Sequence, residues 1–281
     1  TALGLSGTNE SGSSVNVYNG TTLLEAATVS GTGWSYTATV ANGTTYQFNV
    51  KETDAAGNTS AATSNFAVTG DTTAPTVSSV SISSASGVQN SLLNAGDVVS
   101  VTVTFSENVT RTGSPQFTLN VGGTNRTATY GSGSGGTSLV FQYTIQAGES
   151  DADGISIGAN ALALNSGTIR DAAGNNATLT HSAVSANASY KVDTTAPTAV
   201  WSAATDNVGV VTGSLTSGDR TDDTALVLSG GNESGSSVTV YNGTTSLGAA
   251  TISGTGWSYT ATVANGTTYQ FNVKETDAAG N

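Results

Sequence analysis

Residues 1–58 return as residues 224–281 without a gap, at a constant offset of 223 and with six differences. These are Gly4/Val227, Thr8/Gly231, Asn16/Thr239, Leu23/Ser246, Glu25/Gly248 and Val29/Ile252. Self-similarity at a long fixed period restricts the chain to an array of repeated units, each stacked on its neighbours. Two shorter motifs subdivide the period. Asp-Thr-Thr-Ala-Pro-Thr occurs at 71–76 and 193–198, and Asp-Ala-Ala-Gly-Asn at 54–58, 171–175 and 277–281. The first two pentapeptides precede a proline motif by 17 and 22 residues, room for one edge strand and a bend. Two alternating unit types follow. Residues 1–70 are a type A unit without its start, 71–192 a complete type B unit, and 193–281 a type A unit without its end. Pro75 and Pro197 fix φ and hold the preceding residue extended, so the joints are expected to be short and stiff.

Within each unit the hydrophobic period is two. In type A, Val15–Tyr18, Trp34–Val40 and Tyr46–Val50 alternate apolar and polar residues, with Asn19-Gly20 and Asn42-Gly43 as turns. In type B the same alternation runs through Val99–Phe105, Phe117–Val121 and Leu139–Ile145. Short alternating strands with frequent turn signals predict an all-β fold of tandem immunoglobulin-like β-sandwiches in a linear array, with no helix. Composition agrees, since Thr, Val and Tyr are common while helix formers are scarce.

Charge narrows the function classes. Lys plus Arg total 7 against 19 Asp plus Glu, a net charge of −12. Such a surface repels phosphate backbones and offers no basic patch to anionic lipid, so neither nucleic acid nor a membrane surface is an expected partner. It does attract divalent cations, and calcium prefers hard carboxylate oxygens. No stretch approaches the ~20 apolar residues that span a bilayer. The chain has no Cys and hence no disulfide framework, so calcium is one candidate source of rigidity. It also has no Met, even at position 1, and reads as a segment of a longer protein.

The residues resemble bacterial Ig-like repeats of giant type I-secreted adhesins, of the RTX and biofilm-associated kind. Type A carries this likeness through Leu226–Gly230, Val238–Gly243, Gly256–Thr260 and Thr276–Asn281. Type B is similar to repeats of the cyanobacterial swimming protein, through Gly96–Val99, Phe105–Val109 and Asp171–Asn175. The resemblance covers essentially the whole chain. It implies an extracellular, cell-surface location, an extender role in adhesion or biofilm formation, and calcium at the junctions between domains.

The strand order suggests where calcium would sit. In an Ig-like sandwich the chain enters at the end that also carries the B–C and F–G loops. Asp71 in the linker, Glu107 after the second strand, and Asp171 and Asn175 before the last strand are expected to meet there. By the same topology Asp193, Glu233, Asp277 and Asn281 would meet at the leading end of the next unit. Calcium takes six to eight oxygens, so carbonyls and water would complete each shell. The pentapeptide also reads simply as a good turn, because Asp and Asn bond their own backbone and Gly supplies positive φ. Glu149–Gly154 looks like the opening of a calcium loop, but Asn160 stands where an EF-hand needs Glu, so a solvated turn is expected. Asp219–Asp223 reads as a solvated loop before a strand.

Catalysis needs a nucleophile with a base, paired carboxylates in a cleft, or an open metal site. The single His181 is flanked by hydroxyls on an expected edge strand, and the carboxylates fall at domain ends; a non-catalytic chain is expected. Trp34 and Trp257 are equivalent and expected in the cores, Trp201 at a junction. The expected partners are neighbouring repeats. The alternative is head-to-tail self-association by strand exchange, as a filament or surface-layer subunit, because each incomplete unit is expected to leave a sheet edge unpaired.

Overall fold

The computed structural model describes residues 1–210 and 212–281. Among these residues there are strands, turns and single bridges but no helix, and so none long and apolar enough to cross a membrane. Three hydrophobic clusters follow one another along the chain, so the molecule is a tandem of β-sandwiches.

The alternation read from sequence becomes inside and outside. In Val98–Phe105, Val99, Val101, Val103 and Phe105 are buried while Ser100, Thr102 and Thr104 are not. That strand pairs antiparallel with Ser138–Thr144 on one side and Val77–Ser86 on the other. Gln116–Val121 and Thr124–Ser132 complete most of this six-stranded sheet, and Phe117 and Phe141 pack in the core with ring centroids 5.6 Å apart. The facing layer is broken into Ser150–Asp151, Lys191–Asp193 and Leu92–Leu93, with Thr110–Thr112 and Thr168–Arg170 beside them. Between Arg170 and Lys191 the chain makes only isolated bridges, at Asn176, Thr178 and Val184. The edge strand expected there is absent because its small polar residues have no sustained alternation. His181 therefore stands on an irregular segment, and its ring lies 5.6 Å from that of Phe117.

The two type A units share a design. In residues 193–281, Ala225–Gly231 pairs with Gly256–Thr262 and Val200–Asp206, while Ser237–Asn242 pairs with Thr245–Ala249 and Phe271–Thr276. Leu226 and Leu228 from one sheet meet Val238 and Val240 from the other. In residues 1–58 the same strands recur, but among the described residues Ala2–Thr8 pairs only with Gly33–Thr39. The consequence is visible in burial. Leu228 is fully buried and Trp257 is 3% exposed, whereas Leu5 and Trp34 are only half-buried. The strand Val200–Asp206 covers that edge, and the Trp257 indole N–H donates to its Val200 carbonyl at 3.2 Å. Trp201 packs edge-on against Trp257, centroids 5.7 Å apart, within its own unit. Asn42-Gly43 is a turn that crosses from one sheet to the other, with Gly43 at φ 69°.

Candidate metal centre

Asp71, Glu107 and Asp171 come together from three separated segments. One carboxylate oxygen from each lies within 4.8 Å of the others, about the span that one ion with ~2.4 Å bonds can bridge. Glu107 is carried just past Val98–Phe105, where Ser106 exchanges hydrogen bonds with Thr76 of the linker at 2.9 and 3.0 Å. Asp71 sits on the linker itself, and its side chain accepts the Thr73 N–H at 3.0 Å.

Asp171 opens the pentapeptide turn after Thr168–Arg170. Its Oδ1 accepts the Asn175 N–H and its Oδ2 the Asn175 side-chain amide, both at 2.8 Å, and Gly174 closes the turn at φ 95°. Asp54–Asn58 and Asp277–Asn281 repeat these bonds at 2.8–2.9 Å. The pentapeptide is thus a self-sufficient turn in each place, and its Asn has a further task. The Asn175 amide reaches the Asp71 and Thr73 carbonyls at 3.3 Å, and the Asn281 amide reaches the Asp193 carbonyl at 2.9 Å. Asn175 and Asn281 thus each tie their domain to the incoming linker.

The electrostatics divide the three acids. Burial raises the Asp171 carboxyl, but the Asn175 side chain and the backbone N–H groups of Asn175, Gly174 and Ala173 outweigh it and hold the group below its ordinary range. Glu107 is pushed up, first by desolvation and then by the charges of Asp171 and Asp71. A hard cation would neutralise this crowding, so the donor set fits calcium, and Asp71, Glu107 and Asp171 are the side chains that would hold it.

The second predicted set does not close in the same way; among the described residues no other three acids meet at that distance. Asp277 is buried and bonded to Asn281, and Asn281 to the Asp193 carbonyl, but Glu233 is exposed. Its backbone N–H donates to Glu275 Oε1 at 2.5 Å, and Ser236 Oγ donates to the same oxygen. Glu275 Oε2 and Asn232 Oδ1 are both buried without a donor. The acid turned into this end of the domain is therefore Glu275, two residues before Asp277 on a strand, where sequence gave no reason to separate it from an ordinary outward Glu.

Two expected solvated loops contain buried acids instead. Glu149 is 5% exposed and accepts the Tyr143 hydroxyl at 2.5 Å and the Gln146 N–H at 2.9 Å. Arg126 Nε lies 2.5 Å from Glu149 Oε1, an ion pair by distance although the N–H is not aimed at the oxygen. Asp151 is 3% exposed and accepts the N–H groups of Gly122 and Gly154 at 2.7 and 2.8 Å. Asp223 is likewise buried, bonded to Ala225 N–H, beside a buried Asp206 that accepts the Thr221 hydroxyl. Backbone donors replace water for these carboxylates, which is why a hydrophilic motif is inside. His181 also has both ring nitrogens occupied. Nε2 accepts the Ala161 N–H at 2.8 Å, so Nδ1 carries the proton and donates to the Ser182 carbonyl at 2.8 Å.

No known family model matches the sequence, and no curated protein does. Among solved structures the chain is similar to the fibronectin(III)-like modules of Clostridium thermocellum CbhA, at 15% identity and a TM-score of 0.31, over 69% of this chain and 85% of that one. It is also similar to Bacteroides ovatus SGBP-B of the mixed-linkage glucan utilization locus, solved with a mixed-linkage heptasaccharide, at 16% identity and a TM-score of 0.20. That match covers 99% of this chain, which spans 59% of the Bacteroides protein. Likenesses this loose carry no inference about activity, and the chain is defined by its own architecture, a tandem of β-sandwiches.

Proposed function

We propose that this chain is a non-catalytic extender segment of a bacterial cell-surface adhesin, stiffened by calcium where domains join, and supporting adhesion or biofilm formation. The observation that carries the reading is the meeting of Asp71, Glu107 and Asp171 at the point where the linker enters residues 71–192. One of these acids belongs to the linker and two to the following domain, so an ion held by all three fixes the linker to that domain. The near-identity of residues 1–58 and 224–281 suits repeated mechanical work rather than a single recognition event.

Calcium titration by calorimetry, with melting curves in calcium and in EDTA, tests the reading. Calcium at 100 times its Kd stabilises by about 2.7 kcal/mol, visible as a higher melting temperature. Glu107→Gln should abolish both the heat and the rise. No heat and no rise in the native protein would overturn it. A filament or surface-layer subunit is the second reading. Sedimentation as a monomer at high concentration would remove it.

A further inference from the structure

The same pentapeptide meets two different surroundings. At the first junction Ala172, Ala173 and Gly174 are exposed. At the second, Ala279 is 1% exposed and its neighbours are half-buried. The sequences are identical, so the difference lies in what the preceding domain presents.

Residues 71–192 present a receptor. Gln89 and Leu92 close a two-residue hairpin loop by reciprocal backbone bonds of 2.9 and 2.7 Å, with Asn90 and Ser91 both left-handed at φ 50° and 66°. That loop aims the Asn90 amide at the Ala278 carbonyl, 2.9 Å away, and the nearby Asn94 amide reaches the Ala279 carbonyl at 3.4 Å. Asn94 is itself fixed by its N–H bond to Asp97 Oδ2 at 2.8 Å. Gly280 completes the fit, since a Cβ there would come within 2.3 Å of the Gln89 amide. Thr194 of the linker is held by Gly148 N–H and the Glu149 carbonyl, both at 2.9 Å.

Residues 1–70 present nothing comparable. Asn42 accepts the Thr72 N–H and donates to the Thr73 hydroxyl, both at 2.8 Å and both exposed. Among the described residues no hydrogen bond runs directly from residues 1–69 to residues 77–192. The first joint thus depends on solvent-exposed bonds to three linker residues, which water can replace one at a time. The second also has an exposed bond, from Asn90, but it buries Ala279 and partly buries the Asn94 bond to that residue.

We propose that the 89–94 loop and the 277–281 turn form a built domain–domain interface, so that residues 71–281 move as one body and bending is confined to Asp71–Thr73. A type B domain is then the specific partner of the type A turn that follows it, and an array of this pattern articulates once for every two domains. The interface stands without metal, whereas the acids of the stalk reading lie at the compliant joint, so calcium would act on that joint alone.

The chain has no cysteine, so spin labels can be placed freely. Thr37→Cys with Thr127→Cys spans the first joint, and Thr127→Cys with Thr260→Cys spans the second; all three sites are exposed strand residues, and 37 and 260 are equivalent. In EDTA the 127–260 distance distribution should be narrow and the 37–127 distribution about twice as broad or more. Ala279→Glu, with folding checked by circular dichroism, should broaden the 127–260 distribution to match. Equal widths in EDTA, or no broadening by Ala279→Glu, would overturn the interface. Calcium should narrow only the 37–127 distribution; if it narrows neither, the calcium reading falls and the interface remains.

Discussion

Leu5 and Leu228 occupy equivalent positions in two nearly identical sequences, yet only Leu228 lies beneath a neighbouring strand, Val200–Asp206. Leu228 is fully buried, while Leu5 packs half-buried on its cluster. Truncating a fully buried leucine costs about 2–5 kcal/mol, from lost transfer energy and the residual cavity, so Leu228→Ala should cost about 3 kcal/mol. Leu5→Ala keeps part of its surface in water already and should cost about 1–1.5 kcal/mol. The type A cluster of residues 193–281 is small, six buried residues against nineteen in residues 71–192, so its stability lies toward the low end of about 0.05–0.15 kcal/mol per residue. The larger loss therefore removes a large share of it, lowering the melting temperature by roughly 12–24 °C at about 4–8 °C per kcal/mol. All three tryptophans, Trp34, Trp201 and Trp257, lie in type A units. With Trp34→Phe the fluorescence reports only residues 193–281, and with Trp201→Phe and Trp257→Phe only residues 1–70. Urea unfolding in each background measures one leucine at a time. Equal losses at the two positions would refute the conclusion that Val200–Asp206 buries the Leu228 edge.

Two further outcomes concern the type B domain. Burial, followed by the hydrogen bond to Glu149, pushes the Tyr143 hydroxyl up to about 12. A group raised in the folded state contributes stability that is complete below its unfolded value near 10 and is lost as pH rises toward 12. Ultraviolet titration at alkaline pH should show one late-ionising tyrosine that disappears in Tyr143→Phe, and a titration unchanged by that substitution would refute the assignment. His181→Ala leaves the Ala161 N–H without its acceptor and uncovers Phe117, and should cost about 2 kcal/mol in denaturant unfolding. A loss below about 0.5 kcal/mol, the usual effect of a surface change, would mean that His181 is an ordinary surface residue.

The sequence by itself determined whatever depends on neighbours along the chain. Strands such as Val98–Phe105 are legible because a period of two needs only the pleat, and the pentapeptide turn because Asp and Asn close it on themselves. The direction of successive strands also places Asp71, Glu107 and Asp171 at one end of the domain. Tertiary structure alone decided which acids are inside. Glu149 and Asp151 stand in a hydrophilic motif, and their donors are Tyr143, Gly122 and Gly154 in the folded chain. Glu275, not Glu233, caps the 232–236 turn, because cross-strand register sets which carboxylate reaches the Glu233 N–H. The clearest case is the pentapeptide, whose Ala-Ala-Gly is exposed after residues 1–70 and buried or half-buried after residues 71–192. A local motif fixes its own hydrogen bonds, but the surface set against it belongs to another domain, and only the packed chain brings the two together.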